Sequence, residues 1–162
     1  MNQNNNDSGQ KKKNIARYIY LLSVFFLTLT GLGQMPIFKR YYIADLPGFG
    51  WLGKFYVTHY MHYLFAILLV AIITYMAVEY LFDGRKKMII TLSGYVRAGI
   101  LLLLVITGGL LVIRNLAIST FAPGLIIFLD IAHVCLFVAI LTAGMYCILF
   151  KKKWAKINRE TS

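Results

Sequence analysis

FYVTHYMHYLFAILLVAIITYMAVEYLF, residues 55–82, runs for 28 residues with a single carboxylate, Glu79, and carries two imidazoles, His59 and His62, near its start. At about 1.5 Å per residue, a helix of this length exceeds a hydrocarbon core of roughly 30 Å, so the stretch reads as a membrane span. Residues 96–113 and 125–150 read the same way. A fourth run, YIYLLSVFFLTLTGLGQMPIF at 18–38, is weakened by Ser, Thr, Gly and Gln but holds no charge. Although KKK precedes it, its apolar part is longer than a signal-peptide core. It also leads into QMPIFKRYY without a small-x-small cleavage site, so it is expected to be a retained span.

The composition agrees. With 59% hydrophobic and 14% charged residues, and a mean hydropathy of +0.69, the chain is too apolar for a soluble domain of 162 residues. The fold class expected is an all-α integral membrane protein, a bundle of four transmembrane helices in the inner (cytoplasmic) membrane. No internal repeat or second domain is visible.

The net charge of +11 would suggest nucleic acid in a soluble protein, but the positions of the charges argue otherwise. Lys11, Lys12, Lys13 and Arg17 precede the first span, Arg85, Lys86 and Lys87 separate the second from the third, and Lys151, Lys152, Lys153, Lys156 and Arg159 follow the fourth. The other two connections hold only Lys39, Arg40, Lys54 and Arg114. By the positive-inside rule the N and C termini and the DGRKK loop are cytoplasmic, and loops 39–54 and 114–124 face outward. Basic charge is then a matter of topology and of membrane lipid, with no nucleic-acid partner.

Residues 1–16 are polar and low in complexity and are expected to form a disordered tail. Residues 17–150 form the membrane domain, and residues 151–162 a basic cytoplasmic tail. The outer loop KRYYIADLPGFGWLGK is turn-rich and aromatic, as suits the interface, and Pro123 is placed to open the fourth helix. Gly94, Gly99, Gly108 and Gly109 would let a neighbouring helix or a flat cofactor approach the third span. Cys135 and Cys147 lie at different depths of one span, which argues against a disulfide, and no C-x-x-C pattern is present.

Ionisable groups inside a span are costly and mark candidate sites. The second and fourth spans run in the same direction, and His62 and His133 each lie a few residues in, which puts them at similar depth near the outer surface. Two neutral imidazoles at one depth on facing helices are what bis-histidine ligation of haem iron requires. Propionates could then pair with Lys39, Arg40, Lys54 or Arg114. His59, one turn from His62, is an alternative ligand or a contact to a propionate or a quinone carbonyl. Asp130, three residues before His133, could orient that ring, exchange protons with quinone, or pair with Arg114. Glu79 and Arg97 read as an ion pair or as snorkelling residues. Histidines merely bonded inside a bundle, or a zinc site, are the competing readings.

The pattern resembles the four-helix cytochrome b subunits of membrane-bound respiratory oxidoreductases: the formate dehydrogenase gamma subunit and the cytochrome b subunits of hydrogenases and thiosulfate reductases. That family carries R-x-x-H followed by T-G or S-G on its first helix, H-x-x-x-[GA] on its second, and two histidines about fourteen residues apart on its fourth. Here His62-Tyr63-Leu64-Phe65-Ala66 matches the second motif, which favours His62 over His59, and His133 matches the first histidine of the fourth helix. Arg17-Tyr18-Ile19-Tyr20 is followed by Thr30-Gly31, but Tyr20 replaces the histidine, and Cys147, beside Met145 and Tyr146, stands where the last one belongs. Both departures fall on the family's inner haem.

The resemblance therefore implies one haem b near the outer face, held by His62 and His133, and no inner haem, the alternative being a second haem with Tyr20 or Met145 as ligand. It further implies a membrane-anchoring electron-transfer subunit working between an outward-facing Fe–S or multihaem cytochrome c partner and menaquinone. A haem-free anchor for a redox complex, and a small membrane enzyme with a histidine-bound metal, are the alternatives.

Overall fold

The computed structural model describes residues 3–35, 42, 45–84, 88–116 and 121–157. Four long helices dominate: α1 (Gln3–Gln34), α2 (Phe55–Glu79), α3 (Leu92–Arg114) and α4 (Pro123–Leu149). Each contains a stretch long and apolar enough to cross a membrane, from mean hydropathy 1.7 over Asn14–Gln34 to 2.6 over Pro123–Leu149.

Local sequence accounts for the ends of these helices. α2 runs on through a π-helical turn, Tyr80–Gly84. Thr91 caps α3, its Oγ1 accepting from Gly94 N at 3.2 Å, and Arg114 lies in the last turn, where a cation complements the helix dipole. Pro123 occupies the first turn of α4, where its missing N–H leaves no bond unmade, behind an extended Ala122. At the far end Lys151 takes a left-handed conformation (φ 51°), and the amides of Lys151 and Lys152 donate to Ile148 O and Cys147 O. This is a Schellman stop with lysine in the place that usually holds glycine.

Two expectations about the termini are corrected. α1 begins at Gln3, so the polar N-terminal segment expected to be disordered continues the first span as helix. Residues 3–13 contain no proline, and although Asn4, Asn5, Asn6, Asp7, Ser8 and Gly9 are weak helix formers, extending a helix already nucleated by the span costs less than starting one. The basic segment after α4 is not merely a tail: β2 (Ala155–Ile157) pairs antiparallel with β1 (Met88–Ile90), in register Met88↔Ile157, Ile89↔Lys156 and Ile90↔Ala155.

The chain divides into two compact units, Met1–Tyr80 and Leu81–Ser162, each built on one helical hairpin. In the first, α1 packs along α2, and the fully buried side chains are Ser23, Thr30, Thr58 and Leu52. Phe26 stacks on Phe65 with ring centroids 4.4 Å apart. A short 3-10 turn, Gly50–Gly53, inserts Leu52 between the helix ends, and Gly33 leaves the notch for it. A Cβ on Gly33 would stand 3.1 Å from Leu52 Cδ2 and 3.3 Å from Thr58 Cγ2.

In the second unit α3 packs along α4, and the β1–β2 ladder crosses the start of α3. Thr91 N donates to Trp154 O at 2.9 Å. Gly94 permits the crossing: a Cβ there would collide with Trp154 O and lie 2.7 Å from Ile90 Cγ2.

In both hairpins small or polar residues share the interior with a few leucines, Leu52, Leu69 and Leu129, while many large apolar residues are exposed, Tyr60 and Ile67 in the first and Leu92 and Ile148 in the second. Water would penalise that arrangement, whereas hydrocarbon solvates the outer faces and leaves small residues to bring the backbones together.

Candidate functional site

The backbone demands of α1 fix the first element of the site. Thr30 Oγ1 lies 2.6 Å from Phe26 O and 3.4 Å from Leu27 O, so its proton is committed to the preceding turn. The same oxygen is 3.0 Å from His62 Nδ1, and having spent its proton it accepts there. The network thus assigns the proton of the neutral imidazole to Nδ1 and the lone pair to Nε2. Beside it Gly31 keeps the approach open; a Cβ would stand 3.4 Å from His62 Cε1.

The second hairpin repeats this arrangement. Thr107 Oγ1 lies 2.9 Å from Leu103 O and 3.1 Å from Leu104 O, and 2.9 Å from His133 Nδ1. Gly108 follows Thr107 as Gly31 follows Thr30, and a Cβ on it would stand 3.1 Å from His133 Cε1. Each hairpin therefore pairs a Thr-Gly step on its first helix with a half-buried histidine on its second. Sequence reading found both histidines and Thr30-Gly31 but missed Thr107, and it saw no repeat. The recurrent T-G was the available signal. It was obscured because Thr and His are 32 residues apart in one hairpin and 26 in the other.

Three residues before each histidine stands a second polar contact. His59 Nδ1 is 3.0 Å from Gln34 Oε1, while Gln34 Nε2 donates to Thr30 O at 3.3 Å. This fixes the amide so that Oε1 accepts from His59 Nδ1–H, again leaving the lone pair on Nε2. The His59 ring lies between Phe55 and Tyr63, at 5.2 and 4.3 Å between centroids. Asp130 is bound by Arg114, whose Nη1 donates to Oδ2 at 3.0 Å and to Oδ1 at 3.2 Å. Of the roles expected for Asp130, this is the one the structure displays, and the group that orients His133 is Thr107.

Lys54 is exposed at the start of α2. Lys39 and Arg40, expected as propionate contacts, lie outside the described residues. Met145 is exposed, and Cys147 is buried in α4. His62 belongs to the first hairpin and His133 to the second.

A group held by one imidazole from each hairpin needs an unprotonated Nε2 and clearance for a flat ring beside it. In each hairpin the Thr-bonded Nδ1 provides the first, while the adjacent glycine makes room for the imidazole itself to approach the facing helix, so each histidine taken by itself has the tautomer that an iron ligand needs. Among the described residues, no three His, Cys, Asp or Glu side chains gather as a metal-binding cluster. Comparison of the chain with protein-family models, with curated proteins and with solved structures yields no match.

Proposed function

We propose that the two hairpins associate in the cytoplasmic membrane as one four-helix bundle, with both termini on the cytoplasmic side, and that His62 and His133 are the axial ligands of a single haem b. The repeated Thr–His bond carries this reading: two histidines in separate hairpins are held in the one tautomer that offers Nε2 to iron. When bound, haem b supplies one-electron transfer. Thr30 and Thr107 hold the Nδ1 protons and fix ring direction, while Gly31 and Gly108 let the rings pack close against the facing helix. Lys54 and Arg114 are the described cations available to propionates, with Arg114 already tethered by Asp130.

In this reading the protein is the membrane-anchoring electron-transfer subunit of a larger respiratory complex. It passes electrons between an outward-facing Fe–S or multihaem cytochrome c partner and the menaquinone pool. His59 suits the quinone end of that task, because Nε2 can take a proton from a quinol hydroxyl and return it in the reverse direction, with Gln34 holding the other nitrogen.

A haem-free anchor is the second reading. It draws on the same bonds, since threonine and histidine paired across a helix interface also serve as polar glue in a membrane. A reduced-minus-oxidised spectrum of the purified protein separates the two. Ligation requires a b-type band, with about one haem per chain, that His62→Ala and His133→Ala each remove and His59→Ala largely keeps. No band in the parent protein, or one that survives both substitutions, leaves the anchor.

A further inference from the structure

Arg97 is the one buried cation among the described residues, with 7% of its surface exposed, and no carboxylate among those residues pairs with it. Nε donates to Ser93 O at 3.0 Å, and the guanidinium carbon sits 4.3 Å from the centre of the Trp154 ring. Nη2 is buried with no acceptor among the described residues. A carbonyl and an aromatic face offset only part of the cost of taking a guanidinium out of water; a full anion is the missing complement.

The same side chain lines a groove of about 510 Å³ between the start of α3 and the end of α4. Its other walls are mainly apolar, with Leu92 and Val96 on α3 and Ala143 and Tyr146 on α4. Exposed Lys151, Lys152 and Lys153 follow α4, and Trp154, whose ring faces the Arg97 guanidinium, directly precedes β2. We infer that this groove binds an anionic phospholipid, with its phosphate on Arg97 and an acyl chain along Leu92 and Val96.

The two halves of the groove select that class together. A free anion would gain nothing from the apolar walls, and a neutral acceptor such as a quinone carbonyl would leave the guanidinium charge unmatched. A phosphodiester with a hydrocarbon tail satisfies both. The location agrees, because aromatic side chains and clustered lysines beside a span are where headgroups of negative charge accumulate. This inference is independent of the haem reading, since it uses neither His62 nor His133.

The full-length protein carrying Trp51→Phe retains Trp154 as its only tryptophan, which makes the emission of that ring a local reporter. In neutral detergent, titration with phosphatidylglycerol should change this emission saturably, while phosphatidylcholine and inorganic phosphate at equal concentration should not. Arg97→Gln should weaken the response about tenfold or more, and Arg97→Lys less, because lysine keeps the charge but loses the planar fork. Ala143→Phe, which fills the groove and leaves the guanidinium in place, should also weaken it. Native mass spectrometry of the unsubstituted protein with both lipids present should retain phosphatidylglycerol selectively, which keeps the test valid even if a variant fails to fold. Equal responses to the two lipids, an Arg97→Gln titration matching the parent, or a full response to inorganic phosphate would each overturn the assignment.

Discussion

At the scale of single residues, the hydroxyl of Thr107 matters more than its size. An acceptor at Nδ1 raises the electron-donating power of an imidazole and favours ferric over ferrous iron. Under the proposed ligation, Thr107→Val removes the acceptor at nearly constant volume and should raise the midpoint potential of the haem by up to about 40 mV, the equivalent of roughly 1 kcal/mol for one electron, as read in a redox titration. Thr107→Ser should stay close to the parent, and Thr30→Val should act through His62 in the same direction.

The glycines give a graded counterpart. A methyl on Gly108 presses on His133 Cε1 at 3.1 Å, whereas one on Gly31 meets His62 at an ordinary 3.4 Å. Gly108→Ala should therefore reduce haem loading more than Gly31→Ala, as measured by pyridine haemochrome per chain. His62 and His133 were legible in the sequence because an imidazole inside an apolar run is conspicuous. Their threonines were not, since a hydroxyl within a helix satisfies itself on the turn below and shows no preference for any partner across an interface.

At the scale of elements, the four spans were readable because length and apolarity are properties of a continuous stretch, and Pro123 opens α4 where the sequence placed it. The β1–β2 ladder was not. Three residues on each side, MII and AKI, carry no periodicity, and their pairing depends on the reversal at Lys151 that turns the chain back toward Thr91. That dependence is testable. Gly94→Ala places a methyl against Trp154 O and should lower stability by about 1–3 kcal/mol in denaturant unfolding, with faster amide exchange across Met88–Ile90. Lys151→Gly relieves a left-handed lysine and should stabilise by about 1 kcal/mol. The helical N-terminal segment escaped the sequence reading for a different reason: composition reports the solubility of a stretch, not whether an adjoining span will propagate through it.

At the scale of the whole molecule, the positive-inside argument makes a prediction about sidedness. In a variant lacking Cys135 and Cys147, a cysteine placed at Asp45 should react with a membrane-impermeant maleimide added to intact spheroplasts, and one at Lys152 should react only after lysis. The reverse pattern would invert the orientation on which the proposal of an outward-facing haem depends. The division into two hairpins has a further consequence, for biogenesis. Thr30, His59 and His62 find their partners within α1 and α2, so a nascent chain leaving the translocon can release its first pair of helices into lipid with these polar groups already matched. The ribosome need not have reached the second pair for the first to partition, and the haem proposed above would then be bound only after the second pair has been made.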